Sequence, residues 1–382
     1  MAGKKLYKCC ISAWVFVLSF LFLSLSQPIP SWAEELGIGA KAAVLIDMKS
    51  GQVLWEKNCD QPLPPASTTK IITAITALDL ASLGQIYQVS SAAAAVGESS
   101  AKLRPGEKLY MMELLQGALI SSGNDACYGI GEAVAGCEPL FVHWLNLKAA
   151  ILGASTANWL NTNGLPQEGH VVSVRDLAQI SRYAMANPCF GSIVSSQYAT
   201  IGQTGNRRRL KNTNRLLFEN KEIIGIKTGT TTAAGRCLVS AMEHQGMTLL
   251  CVVFNSQDRF GESLRLLRYG MDNFCPLHLV NQGELLALLP INPEGKSGCE
   301  LTAVVADNDG YCLYKKNQIN SLSLRWQLPS YLLQQPQNET PAGNLFLLDA
   351  EGEILTRVGL KYASLREKDE SEAGFLPLTS NF

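Results

Sequence analysis

Three short strings constrain this chain more than anything else in it: Ser67-Thr68-Thr69-Lys70, Ser122-Gly123-Asn124 and Lys227-Thr228-Gly229. Ser122 follows Ser67 by 55 positions and Lys227 follows it by 160. Residues three apart share a face of a helix, so the Lys70 amine reaches the Ser67 hydroxyl if a helix begins near Ser67. The second string lies between two apolar helical patterns. The third ends a strand-like run. A fold that gathers a helix start, an interhelical loop and a strand end at one point is therefore the expectation.

The rest of the pattern says which fold that is. Ala42 to Asp47 reads as a buried strand, Lys49-Ser50-Gly51 as a turn, and Gln52 to Glu56 as the hairpin partner. Pro62, Pro64 and Pro65 stop regular structure, and Ile71, Ile72, Ile75 and Leu78 then recur at helical spacing. Helical patterns follow at 112–120, 125–135, 140–152 and 174–186. After Lys221 the period changes to strands at 223–227, 237–242 and 247–255, and a helix at 261–274 closes the unit. This predicts an α/β (α+β) domain with an antiparallel sheet flanked by helices. Cys275-Pro276 marks a boundary, and short strand-like segments after it predict a small β-rich C-terminal domain.

The ends of the chain predict a location. Lys4, Lys5 and Lys8 precede an apolar run from Ile11 to Leu25, then Pro28, Pro30 and Ser31-Trp32-Ala33. This reads as a secretory signal peptide cut after Ala33, in preference to a membrane anchor, and predicts an extracytoplasmic protein. The domain expectation is therefore signal peptide 1–33, catalytic domain 34–275, small β-rich domain 276–362 and polar tail 363–382. Arg366 to Glu372 is a charge run. Ala373 to Phe382 is short and carries Pro377 but no basic amphipathic face, so it gives no support to membrane-surface association.

Composition excludes other classes. The net charge of −1 leaves no basic field for nucleic acid, and Arg207-Arg208-Arg209 is too short to create one. With 47% hydrophobic and 17% charged residues in 382, most of the chain is expected to be globular. Nine cysteines follow the signal, an odd number without a CxxC pair, and His143, His170, His244 and His278 show no ligand spacing. No metal or cofactor is expected. The histidines read as core or surface residues and most cysteines as small buried ones. Cys299 and Cys312 are the one pair that a hairpin could join. Cys127, three residues after Asn124, is a candidate for thiol modification that blocks the site.

Chemistry then follows from residue type. Ser67 at a helix's first turn lies where N–H groups favour developing negative charge. Lys70 serves as its base if burial and a second cation lower its pKa, and Lys227 is that cation. Ser122 relays a proton between Lys70 and a leaving amine, Gly123 permits a sharp turn, and Asn124 holds a substrate carbonyl. Lys227 and Thr228 suit a terminal carboxylate, Gly229 allows close approach, and a strand beside them pairs with an extended peptide. The N–H groups of Ser67 and Thr230 form the natural oxyanion hole. Ser99-Ser100-Ala101-Lys102 copies the first spacing, but Pro105-Gly106 follows it and no apolar helix extends from it.

Taken together these strings resemble the serine D-alanyl-D-alanine carboxypeptidases, the low-molecular-mass penicillin-binding proteins, from about Ala40 to Phe274. Pro64-Pro65-Ala66-Ser67, Val96-Gly97-Glu98-Ser99-Ser100, Leu103-Arg104-Pro105-Gly106-Glu107, Asn163-Gly164-Leu165-Pro166 and Gly225-Ile226-Lys227 carry the likeness along with the three strings. The segment after Pro276 resembles the family's small C-terminal domain more weakly. The resemblance implies that Ser67 is acylated and releases the terminal D-alanine of a peptidoglycan peptide stem ending in D-Ala-D-Ala. It implies that β-lactam antibiotics acylate the same serine, and that Arg259 helps hold the carboxylate. Position 230 is Thr where relatives frequently carry His or Tyr. Two alternatives share the layout: a serine β-lactamase, which needs a Glu-x-x-Leu-Asn string absent between Asn124 and Lys227, and a penicillin-sensing receptor domain.

Overall fold

A computed structural model describes residues 36–364 apart from 204 and 292–299. The expected signal peptide, Cys299 and the charge run at 366–372 lie outside the described residues. Contacts divide the chain after Gly39, and the described residues from Ala40 onward group as one unit. Among the described residues no helix is long and apolar enough to cross a membrane.

Five antiparallel strands make the main sheet: β1 (Ala42–Asp47), β2 (Val53–Lys57), β3 (Ile223–Thr231), β4 (Gly235–His244) and β5 (Met247–Phe254), in the order β2-β1-β5-β4-β3. All six residues of β1 are buried, because the sheet is covered on both faces. Ala42, Val44 and Ile46 point into the larger core, whereas a Cβ on Gly270 would come within 3.0 Å of Leu45. Successive strand residues face opposite ways, so one pattern serves two layers. β3 is an edge strand, with one side open to a further strand.

The helical layer comprises α1 (Lys70–Leu80), α2 (Met111–Leu119), α3 (Asn124–Ala135), α4 (Glu138–Ile151) and α5 (Val174–Met185), and α6 (Arg259–Asn273) covers the far face of the sheet. Every residue of α1 from Lys70 to Ala77 is buried. α2, α3, α4 and α5 pack against α1, and its one lysine is fully buried. Ser67 does not open this helix as expected. It sits in a preceding 3₁₀ turn, Ala66–Thr69, where the Thr68 and Thr69 hydroxyls donate to the Pro65 and Ala66 carbonyls at 2.7 and 2.9 Å. Ala66 has φ +50°, an unfavourable region for a residue with a Cβ.

The C-terminal part is β-rich. β6 (Phe274–Val280) follows α6 directly and pairs with β9 (Gly310–Lys315), after β7 (Leu285–Ile291) and β8 (Glu300–Ala306). β10 (Ser323–Gln327), β11 (Pro341–Leu348) and β12 (Ile354–Ala363) complete a second sheet ordered β7-β8-β12-β11-β10. It has its own core around Val304, Leu345 and Val358. The Cys275-Pro276 break expected from sequence falls inside β6, where Cys275 and Pro276 both pair with β9. Gln52 adds a two-way link at 2.9 Å to the Leu313 backbone. Cys312 is buried, and its expected partner Cys299 lies outside the described residues.

The loop between α4 and α5 is fastened to the nucleophile turn by His170, which is 3% exposed. Its Nδ1 accepts from the Leu160 N–H at 3.1 Å, and its Nε2 lies 2.9 Å from the Thr69 hydroxyl. That hydroxyl's own proton goes to the Ala66 carbonyl, so Nε2 must carry the hydrogen and donate. The imidazole is thereby fixed neutral in one tautomer, and burial pushes its pKa down to about 4. The native state thus holds fewer protons than the unfolded chain between about pH 6.5 and 4. Stability from this group is complete above that window and is lost as pH falls through it. Wild-type Tm should drop across the window, and His170→Gln should flatten the slope while lowering Tm at neutral pH. Equal slopes in the two proteins would contradict the assignment.

Candidate active site

Lys70 is the hub. Its Nζ donates to Ser67 Oγ at 2.9 Å, to Asn124 Oδ1 at 2.7 Å and to the Asn163 carbonyl at 2.6 Å. The three acceptors come from the 3₁₀ turn, the start of α3 and the α4–α5 loop. Asn163 and Gly164 are held in place by Asn161, whose Oδ1 accepts from the Gly164 N–H at 2.7 Å. A side chain at Gly164 would fall 1.9 Å from the Ala66 carbonyl oxygen, and its φ is +85°. Only glycine lets this loop press against the turn that carries Ser67.

Lys227 is 1% exposed and reaches Ser122 Oγ at 3.0 Å and the Thr228 carbonyl at 2.9 Å. The Ser122 hydroxyl, expected to bridge toward Lys70, thus takes its hydrogen bond from Lys227. Asn124, expected to hold a substrate carbonyl, accepts from Lys70 and donates Nδ2 to the Gly97 carbonyl at 2.9 Å. The sharp turn expected at Gly123 belongs to Ser122, whose φ is +63°. Gly123 is needed for space: a Cβ there would fall 2.6 Å from Asp125 Oδ1 and 2.8 Å from the Ala101 nitrogen. Asp125 in turn accepts from the Ala101 and Leu103 N–H groups and from Ser100 Oγ. The second Ser-x-x-Lys copy is therefore a non-helical wall of the site.

Beside the turn, a Cβ on Gly229 would lie 3.0 Å from the Ser67 nitrogen. Strand β3 and the Ser67 backbone thus approach as closely as their atoms allow. Thr228 Oγ1 shares a 2.6 Å hydrogen bond with Thr213 Oγ1, and Arg259 Nη1 donates to the Gly229 carbonyl and to Thr230 Oγ1, each at 2.7 Å. Arg259 therefore braces the end of β3 and Thr230 rather than standing free beside Thr228.

Burial governs the electrostatics. It lowers Lys70 to about 8. It also holds Lys227 well below the ordinary lysine range, with the nearby Lys70 charge as the next cause. Removal from water is the main effect on Lys70, and repulsion between the two amines adds to it on Lys227. Two amines in one dry site do not both stay charged, and a neutral one can take a hydroxyl proton. Cys127 is fully buried on α3, and burial raises its thiol to about 12. Burial and the raised thiol pKa both disfavour the thiolate that modification there would need.

All three strings thus meet. Four contributors receive no role in the site from sequence: the Asn163 carbonyl and Asp125, whose segments enter only as part of the family likeness, and His170 and Thr213. A backbone carbonyl has no residue signature, and an isolated His or Thr is ordinary. The run Asn161-Thr162-Asn163-Gly164 was the one available cue, since Asn and Gly at that density mark a loop held by its own side chains.

Comparison with known proteins agrees with this geometry. Residues 30–258 match the model of peptidase S11, D-alanyl-D-alanine carboxypeptidase. The chain is 27% identical to the D-alanyl-D-alanine carboxypeptidase DacF of Bacillus subtilis over 371 residues, covering 95% of this chain and 94% of that one. It is 30% identical to DacC of Escherichia coli, covering 84% and 82%. In fold it is similar to penicillin binding protein 5 from Haemophilus influenzae, with TM-score 0.77 and 24% identity over 86% of this chain and 97% of that one. The structure of penicillin binding protein 6B from Escherichia coli matches with TM-score 0.66 at 25% identity, over 84% and 95%. The chain belongs to the D-alanyl-D-alanine carboxypeptidase family, peptidase S11.

Proposed function

We propose that this chain is an exported serine carboxypeptidase that removes the terminal D-alanine from peptidoglycan stem peptides through an ester on Ser67. The observation that carries the reading is the 2.9 Å contact between Ser67 Oγ and the fully buried Lys70 amine. A neutral Lys70 accepts the Ser67 proton as Oγ attacks the carbonyl carbon of the penultimate residue. Negative charge then develops on the carbonyl oxygen, in reach of the Ser67 and Thr230 N–H groups. The Ser122 hydroxyl, hydrogen-bonded to Lys227, gives the departing D-alanine nitrogen its proton; water then attacks the ester, its proton returning to the Ser122–Lys227 pair while Lys70 returns its own to Ser67 Oγ as the acid leaves.

Lys227 and Thr228 receive the substrate's carboxylate, and an incoming anion restores the charge that burial removes from Lys227. A β-lactam forms the same ester, but its amine stays tethered after ring opening. Export rests on the Lys4, Lys5 and Lys8 patch, the apolar run and Ser31-Trp32-Ala33.

Ser67→Ala should abolish both D-alanine release and covalent labelling by penicillin while Tm stays close to wild type. Labelling that persists would remove Ser67 from the mechanism. Lys227→Ala should weaken kcat/KM on peptides with a free C-terminal carboxylate by roughly ten- to a hundredfold, the worth of a charge-assisted bond. C-terminally amidated analogues should lose less, and equal losses would count against the clamp.

A further inference from the structure

The Arg207-Arg208-Arg209 cluster has no part in the reacting centre. From Gln197 to Phe218 the sequence holds these three arginines, Lys211 and Arg215 and no Asp or Glu, in a chain whose net charge is −1. A two-stranded ribbon, Tyr198–Ile201 paired with Arg208–Lys211, carries the centre of this stretch. Side chains alternate between its faces. Ile201 and Leu210 are buried beneath it, while Tyr198 opposite Lys211 and Thr200 opposite Arg209 are exposed on the outer face. Arg208 is paired with Glu107 at 2.7 Å. Among the described residues Arg209 and Lys211 have no ion pair, and each lies over an aromatic ring instead. The Arg209 guanidinium is 3.7 Å from the Tyr198 ring centre, Lys211 Nζ is 5.2 Å from that of Phe218, and the two rings meet edge to face at 5.6 Å. The rings steady both side chains and leave their charge uncompensated, so the outer face is pre-organised for an anion.

This ribbon leads directly to the active site. Asn212 and Thr213 follow Lys211, and Thr213 Oγ1 is 2.6 Å from Thr228 Oγ1. Two residues of extended chain span about 7 Å, so Lys211 stands near the end of the site assigned to the substrate's carboxylate. A peptide with its carboxylate at Lys227 and Thr228 and its scissile carbonyl at Ser67 and Thr230 runs antiparallel to β3. Its upstream residues leave past Thr231, away from Thr213. The stem being cut therefore does not cover the ribbon, which faces whatever lies beyond that stem's terminal carboxylate.

We propose that the ribbon is a docking surface for a neighbouring stem peptide of the same peptidoglycan polymer, whose terminal carboxylate it holds between Arg209 and Lys211. The inference rests on the carboxypeptidase reading. Each uncrosslinked stem ends in a carboxylate, before cutting and after it, so a strand presents this anion repeatedly. The planar guanidinium of Arg209 matches a carboxylate, and the Lys211 ammonium adds charge. One such contact at an exposed position is weak. On a polymer it acts as a second attachment that raises the effective concentration of the next stem at Ser67. A single free stem gains nothing from it.

The test measures kcat/KM of the full chain, per stem, on soluble uncrosslinked peptidoglycan strands carrying pentapeptide stems and on the free pentapeptide. Wild type should favour strands by about tenfold at low salt, the worth of two or three weak contacts acting together. The double variant Arg209→Gln with Lys211→Gln should bring the strand rate down to the free-peptide rate and leave the latter, and Tm, unchanged. At about 1 M salt, where screening reaches ~3 Å, the wild-type advantage should vanish. Poly-L-glutamate should slow wild type on strands and spare the double variant. An advantage that persists in the double variant or in high salt would overturn the docking surface. So would an equal loss on both substrates, which would place the two residues in the fold of the site. Inhibition by polyphosphate without inhibition by polyglutamate would assign the surface to a phosphodiester polymer and overturn the stem-peptide assignment. Failure of wild type to release D-alanine from either substrate would overturn the carboxypeptidase reading instead.

Discussion

Everything in the catalytic half of this molecule is arranged around a fully buried amine. Lys70 is 0% exposed, and leaving a lysine there without acceptors would cost on the order of several kcal/mol. Three oxygens meet it, from Ser67, Asn124 and Asn163, and each belongs to a different element. The need to deliver them explains the tight packing of the turn, of α3 and of the α4–α5 loop. It also explains two glycines, since side chains at Gly164 or Gly229 would collide with the backbone around Ser67.

Function and strain coincide here. Ala66 and Ser122 both sit at positive φ, at 50° and 63°, and both adjoin or supply a reacting hydroxyl. Such conformations persist where neighbours over-determine them. Those neighbours are the Thr69 and His170 bonds on one side and the Asp125 carboxylate on the other. The second amine, Lys227, meets Ser122 rather than Ser67, so the two lysines serve two hydroxyls within one dry volume. One can hold a proton while the other gives it up, which suits a reaction that takes a proton from a hydroxyl and returns one to a leaving amine.

Much of this was legible in sequence, and the limits have physical causes. The continuous apolar run at Ala42–Asp47 and helical spacing from Ile71 located the sheet and the central helix, because burial of both elements is strong. The three strings located the site because each holds its chemistry within four residues. Local turn geometry was not legible: proline and threonine chemistry made Ser67 part of a 3₁₀ turn, and the left-handed residue was Ser122 rather than Gly123. Nor was the true electrostatic cause, since burial of a lysine depends on helices distant in the chain. The same holds for Asn163, whose contribution is a carbonyl that every residue possesses, and for His170, whose role appears only once residues 69 and 160 are neighbours.

The most direct measurement is a pH titration of the Lys70 side chain, followed by the 13Cε resonance in protein labelled with 13C-lysine and assigned by difference with Lys70→Arg. The account predicts a transition near 8, with the rate of Ser67 acylation rising through the same pH as the amine becomes neutral. A transition at the ordinary lysine value of about 10.4, with acylation indifferent to it, would contradict the claim that a dehydrated amine activates the serine.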